Sequence, residues 1–292
     1  MVRRSGNRWY DQRGNGCKFT FCRPSGDFHL IGARFFLVVI RPSAGPIFLT
    51  TVTDVVGFFV FWIGCSGIAM TEQPGILALW NDCAEAGETE YERWYMAQHL
   101  PERIGVPGFR FGRRYLRLEG DRKYFTFYET DTPDVLWSPE YMQRLVNPTD
   151  WTQRVMQDFR NTIRTACRKA SSQGTAMGGH SVTFRTVGAA GPDATLEQQL
   201  QDIILTELSE QEGVCHAHLW TAAEEQTPAK TAETDIRGAD DMLSWALIFE
   251  TTFEEDARRL AANDGLIARI ADLSGSDDFD IGIYRLICMM TA

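Results

Sequence analysis

The 292-residue sequence predicts an α+β protein in which two tandem βαββαβ repeats pack sheet to sheet as an α/β barrel, preceded by a basic, apolar N-terminal extension. Three observations predict it. Strand, helix, hairpin, helix and strand follow one another twice after residue 70, read from the period of the apolar residues. The segment "YFTFYETDTPDVL" of the first run falls on "WALIFETTFEEDA" of the second, and "DFRNTIRTAC" on "DFDIGIYRLIC" with one residue inserted. Strands such as "YFTFY" are apolar on both faces, so helices on one side are not enough cover, and two sheets facing one another supply the rest.

The elements justify themselves in order. "GILALWND" alternates as a short strand, and "AGETEYERWYMAQHL" follows as a helix whose Thr89 and Glu92 have the capping-box spacing. Pro101 biases Leu100 away from the α region and is expected to end that helix just after His99. "GFRFGRRYLRL" and "KYFTFYET" make a hairpin around Gly120 and Asp121. A helical region from Pro133 to about Phe159, broken near Pro148, leads to the strand "NTIRTACRK". After the glycine-rich linker "SSQGTAMGGH" come "SVTFRTV", "ATLEQQLQDIILTEL", "GVCHAHLW", "SWALIFETT", "EEDARRLAAND" and "DIGIYRLICM". Each run is βαββαβ, the ferredoxin-like unit. A polar connection of more than twenty residues, "TAAEEQTPAKTAETDIRGADDM", separates the second pair of strands and reads as a mobile loop, either a lid or slack. The expected organisation is an extension over 1–69, a first domain over 70–173 and a diverged second one over 174–292.

Charge divides along the same line. Residues 1–69 carry eight basic side chains against three aspartates, while the net charge of the whole chain is −10, so the acid lies after residue 70. A body this acidic excludes nucleic acid as a partner. Seven cysteines without metal spacing read as reduced thiols in a cytoplasmic protein. The run from Pro46 to Met70 is nearly apolar, with Asp54 its only charge, and is long enough for one membrane span. Three readings stand for 1–69: sequence upstream of a natural start at Met70, a membrane anchor through 46–70, or an extra folded element.

The stretch "WYMAQHLPERIGVPGFRFGRRY" followed by "YFTFYET" resembles the dimeric α/β-barrel superfamily, and within it the EthD-like proteins. In them a helix carrying aromatics ends in a histidine, a proline follows, and a "pGf" turn enters the second strand. The resemblance covers 75 to about 170 well and 180 to 290 only at the level of fold. It implies paired ferredoxin-like units, here from one chain, with self-association as a further option. It also implies a small-molecule ligand and a range of activities, among them cofactor-free oxygenases, cyclases, dehydratases, decarboxylases and haem-handling enzymes. Carried over by position, the family histidine is His99 and the pocket aromatics are Trp94 and Tyr95. The second repeat departs from the pattern, because Leu208 to Glu212 replace "HLPER".

Residue by residue, Tyr91, Trp94, Tyr95, Gln98 and His99 share one helix face directed at the sheet. His99 at a helix C-terminus, half favoured by the dipole and half opposed by burial, is expected to titrate near neutrality, which suits an acid or base, and the equal alternative is a structural histidine hydrogen-bonded to a backbone carbonyl under the loop. Arg113 and Arg114 point to opposite strand faces, so one of them faces the barrel and suits an oxyanion, with Glu129 and Glu250 as candidate partners. The predicted site is thus catalytic His99 with Trp94, Tyr95, Arg113, Tyr115 and Tyr128 around a ligand held between the sheets. No cofactor is expected. His216 and His218 share a strand face at a chelating spacing with Glu250 nearby, which leaves haem or metal binding as an alternative and a polar barrel lining as the plainer reading. The leading function is a cofactor-independent lyase or cyclase acting on a small aromatic or carbonyl compound, and the rival is a non-catalytic binding or assembly barrel.

Overall fold

A computed structural model describes residues 73–188, 191–223, 232–238, 240–275 and 279–292, together with the backbone of six short strands between Arg3 and Phe61. The chain forms two compact units, Met1–Thr71 and Glu72–Ala292. In the first, the six strands pair in sequence order as an antiparallel meander. The apolar run 46–70 lies for the most part outside the described residues; its described parts are the paired strands Phe48–Val52 and Phe58–Phe61. Among the described residues no helix is long and apolar enough to cross a membrane.

The second unit is a closed eight-stranded barrel. Its first half consists of β1 (Gly75–Cys83), α1 (Glu88–Trp94), a π-helical turn (Tyr95–His99), α2 (Leu100–Ile104), β2 (Phe109–Glu119) and β3 (Tyr124–Thr130). It continues through α3 (Pro139–Val146), α4 (Asp150–Met156) and β4 (Phe159–Gly174). Its second half consists of β5 (His180–Val187), α5 (Ala194–Glu210), β6 (Val214–Ala222), α6 (Ala232–Arg237) and β7 (Leu243–Thr251). It ends with α7 (Glu254–Ala261), α8 (Asp264–Ser274) and β8 (Asp280–Thr291). Each half has its strands in the order 4-1-3-2, and the halves join where β4 pairs with β6 and β8 with β2.

Three local expectations change. β4 does not stop at Lys169 but runs on through Ser171 and Ser172 to Gly174, because those residues pair with His216–Leu219 and close the barrel. The first part of the expected linker is therefore strand. The capping box is not used: the helix starts on Gly87 with no side-chain cap, and Glu92 instead grips Arg114 through two bonds of 3.0 Å. Pro101 does not end the helix. Leu100 is helical (φ −61°, ψ −49°), and the chain stays helical to Ile104. Proline lacks an N–H and crowds the carbonyl four residues back. The π-helical turn immediately before it, in which Leu100 donates to the Tyr95 carbonyl, is the local widening that admits it.

Strand alternation sorts the core into an inner and two outer layers. Ile76, Ala78, Trp80, Tyr115, Phe125, Phe127, Trp220, Ile248 and Tyr284 fill the barrel. Leu77, Tyr124 and Tyr128 face outward to the ring-rich helical layer of the first half. Val182, Phe184, Leu247 and Phe249 face the aliphatic helical layer of the second.

Candidate functional site

The π-helical turn rotates the helix so that Tyr91, Trp94, Tyr95 and His99 are all buried against the sheet. Trp94 and Tyr95 pack on the His99 imidazole at centroid distances of 4.2 and 4.9 Å, and Trp94 is itself anchored by its Nε1–H to Thr152 Oγ1 at 3.1 Å. The close approach depends on Gly112 in β2, where a Cβ would lie 2.7 Å from Tyr128 and 2.9 Å from Leu100. His99 is 6% exposed, and its Nδ1 has no hydrogen-bond partner among the described residues. Burial, then the charges of Arg103, Arg114, Arg237 and Arg164, hold its pKa well below the ordinary value of 6.5. The expectation of a titration near neutrality is therefore corrected. The helix does not end at His99, so no terminal dipole favours the proton there, and four guanidinium groups oppose it. At neutral pH the ring is an uncharged base.

His99 looks into a cavity of about 20 Å³, room for one water, which Arg103, Tyr128, Tyr141, Arg164, Glu233 and Arg237 also line. These residues come from α2, β3, α3, β4 and α6. The element that completes the wall is α6, which lies in the long connection of the second half yet packs on α3 and α4 of the first. Its far end is fixed by Asp241, which exchanges backbone bonds with Thr162 (2.9 Å) and Arg164 (3.0 Å) of β4. Glu233 bonds Arg103 at 2.6 Å with both side chains buried, and Arg237 approaches Glu233 at 3.5 Å while pairing with Asp240. Arg164 donates to the Tyr141 hydroxyl at 2.7 Å.

The predicted site residues do not share one pocket. Trp94, Tyr95, His99 and Tyr128 gather on the outside of the first sheet, whereas Arg113 and Tyr115 point into the barrel. A ligand between the sheets would not meet His99, because a strand layer separates them; β-strand alternation puts Tyr128 and Phe127, or Arg114 and Arg113, on opposite sides. Arg113 bonds Glu250 of the second half at 2.8 Å, the partnership the strand pattern suggested, and Arg110 pairs with Glu129 at 3.2 Å. Tyr115 stacks on Phe125 at 5.2 Å, and burial raises its pKa, so its phenol stays protonated.

At one end of the barrel Arg113, Glu129, Lys169, His216, His218 and Glu250 line a second cavity of about 180 Å³, with Phe111, Phe127 and Trp220 as apolar walls. Ser172 Oγ lies 3.0 Å from both His216 Nε2 and His218 Nδ1, and His218 Nε2 lies 3.1 Å from Glu250 Oε1. Glu250 also accepts from the Gly178 amide at 2.9 Å. Burial and the neighbouring His218 take the His216 pKa down to about 4, and burial likewise lowers that of His218. The two imidazoles and Glu250 lie within 4.8 Å of one another, a set that metals use. Here each group already has a partner, and Arg113 and Lys169 face the same space, so the cluster closes on itself as a hydrogen-bonded chain. The cavity lies below the roughly 300 Å³ at which sites for larger ligands begin.

No protein-family model and no curated protein matches the sequence. Among solved structures the chain is similar to an anthrone oxidase-like protein, with 9% identity, 76% of this chain and 94% of that one covered, and a TM-score of 0.50. The fold is a ferredoxin-like α/β barrel. Further matches are an uncharacterised ferredoxin-fold protein related to antibiotic biosynthesis monooxygenases from Listeria monocytogenes (11% identity, 76% and 99% covered, TM-score 0.39) and a heme-binding protein from Thermus thermophilus (8% identity, 74% and 92% covered, TM-score 0.40). Identities this low say nothing of the chemistry done on the fold.

Sequence reasoning missed Arg103, Tyr141, Arg164, Glu233 and Arg237. One signal was available, because Arg103 stands four residues after His99 and shares its helix face. Nothing in the sequence announced that Glu233 crosses from the second half to the first.

Proposed function

We propose that this chain is a small-molecule enzyme of the EthD-like kind, a cofactor-independent lyase or cyclase that moves a proton on a small aromatic or carbonyl compound at His99. The observation that carries the reading is the His99 side chain itself: buried, uncharged, clamped between Trp94 and Tyr95, with a partnerless Nδ1 lining a cavity shared with Arg103 and Tyr128. A neutral imidazole there takes a proton from a carbon made acidic by an adjacent carbonyl, and becomes the imidazolium. The carbonyl oxygen gains the electron pair as an enolate. Arg103 Nη1, buried and without a hydrogen-bond partner among the described residues, is the donor that would hold that charge. Burial keeps the Tyr128 phenol protonated, so it too donates to an oxygen. The enolate then expels a leaving group or closes a ring, and the imidazolium returns the proton. Arg113 and Tyr115, on the far side of the sheet, take no part.

The test is deuterium uptake from D₂O into the acidic CH₂ of anthrone, a neutral aromatic ketone, and of phenylpyruvate, an aromatic keto acid, followed by mass spectrometry with wild type and His99→Gln; the reading stands if either compound exchanges through His99. The variant is expected to lose at least about a hundredfold in rate, the low end for a general base, while its circular dichroism stays the same. Equal rates with both compounds would end the proposal. The barrel-end cavity favours a second reading, a ligand bound without turnover, since about 180 Å³ suits a benzene-sized molecule. Native mass spectrometry separates the two: a retained small molecule whose occupancy ignores Arg103→Met belongs to the barrel.

A further inference from the structure

The cavity beside His99 is short of negative charge. Three guanidinium groups, Arg103 of α2, Arg164 of β4 and Arg237 of α6, converge on it from three elements. The carboxylates that face them are Glu233, and Asp240 paired with Arg237, and both belong to the connection between β6 and β7. The first half, which builds the pocket, supplies the arginines Arg103 and Arg164 and, among the described residues lining the cavity, no carboxylate. Arginine is chosen over lysine where a planar anion is to be gripped at two points.

The grip on Glu233 is incomplete. Arg103 uses Nη2 on Glu233 Oε1 at 2.6 Å, while its Nη1 is buried with no hydrogen-bond partner among the described residues. A carboxylate seated squarely would engage both nitrogens. Arg164 bonds the Tyr141 hydroxyl and makes no ion pair among the described residues. The Glu233 carboxylate therefore stands in an anion site that it does not fill well, and the space left, about 20 Å³, admits nothing larger than water. Any ligand that reaches His99 must first take Glu233 off Arg103.

We infer that the His99 site receives a small aromatic carboxylate, held by Arg103 and Arg164, and that Glu233 of α6 is the internal carboxylate it displaces. This rests on the reading of the His99 pocket as the substrate site and adds the charge of the substrate and the means by which the site is kept closed. A neutral compound of the same shape lacks the charge needed to replace Glu233 and is rejected, because it would leave three buried guanidinium groups facing one carboxylate.

The experiment is isothermal titration of the full chain with benzoate and with benzamide, which has the same ring and no charge. Wild type is expected to bind benzoate at least about tenfold more tightly than benzamide. Glu233→Gln removes the internal competitor and should tighten benzoate about tenfold. Glu233→Asp, whose shorter side chain reaches Arg103 poorly, should tighten it less, and Arg103→Met should abolish it. Lys169→Met, in the other cavity, should change nothing. Equal binding of the two compounds overturns the inference on the unaltered protein, whether or not a variant folds. Benzoate binding that Lys169→Met destroys and both Glu233 variants ignore puts the anion in the barrel and overturns it as well. These readouts measure binding alone, so anion binding without His99-dependent deuterium exchange defeats the catalytic reading and leaves this one intact, and the converse result does the opposite.

Discussion

The two halves of the barrel share a chain path and differ in what fills the layer between sheet and helices. In the second half that layer is aliphatic: Leu200, Ile203, Ile204, Leu260, Leu266 and Ile270 pack on the outward faces of β5 and β7. In the first it is built of rings, Tyr91, Trp94, Tyr95, Tyr124, Tyr128, Tyr141 and Phe159, threaded with arginines. Branched aliphatic chains adapt and close gaps; flat rings and forked guanidinium groups have fixed shapes and polar ends that must be met. The first half accordingly keeps a gap, a buried histidine and a break in helical regularity, while α5 runs without interruption for 17 residues. The two halves thus follow one chain path, one closing its helical layer with aliphatic side chains and the other keeping a gap beside His99.

That contrast is open to measurement. The strongest effect is expected where the halves are joined by charge. Arg113→Met strands Glu250, 1% exposed, without its guanidinium, and should cost about 3–5 kcal/mol in urea unfolding; a loss below about 1 kcal/mol would mean that the link between halves is ornamental. Next, Leu200→Ala in the aliphatic layer should cost about 2–5 kcal/mol and leave His99-dependent exchange untouched. Its counterpart, Tyr91→Phe, deprives the fully buried Asn81 of its hydroxyl partner at 3.2 Å and should cost about 1–3 kcal/mol. If Leu200→Ala slowed the exchange, the division of labour between the halves would fail.

Acid should separate the halves too. A histidine whose folded pKa lies below its unfolded value binds fewer protons in the folded state, so its contribution is complete above about pH 6.5 and is lost as the pH falls below that. For His99 the slope is about 1.4 kcal/mol per pH unit until its folded pKa is reached. His99→Gln should flatten the acid limb of the stability curve measured between pH 6.5 and 4.5, with His216 and His218 supplying what slope remains. An unchanged limb would show that His99 is protonated in the folded protein. The smallest effect is expected from zinc. Because Ser172, Arg113 and the Gly178 amide already occupy the His216, His218 and Glu250 cluster, millimolar Zn²⁺ should move the Tm by less than about 1 °C. A rise of several degrees that His218→Ala abolishes would make the barrel end a metal site.

Much of this was legible in the sequence, and for identifiable reasons. Alternation along "FRFGRRY" placed Arg113 and Arg114 on opposite faces, and Glu250, at the end of an apolar strand in the other repeat, was readable as a partner before any contact was known. His216 and His218 fell on one face for the same reason. The helix face from Tyr91 to His99 was likewise a matter of period. What failed were two local signals that packing from elsewhere in the chain overrode. Thr89 and Glu92 had the spacing of a cap, but Arg114 arrives from β2 and takes Glu92. Pro101 had the sign of a helix end, but the packing of Leu100 under Gly112 keeps the helix going and the π-helical turn absorbs the misfit.

The sequence by itself determined the two βαββαβ runs, the closed barrel they make and the inward direction of His99, because periods of two and 3.6 residues are set by local backbone geometry. Tertiary structure decided on which side of the sheet the histidine lies, that burial and arginines lower its pKa, and that Glu233 comes from the other half to stand beside it. Those outcomes depend on which charges and surfaces meet across more than a hundred residues of chain, and no local period encodes such a meeting: Arg103 and Glu233 lie 130 positions apart.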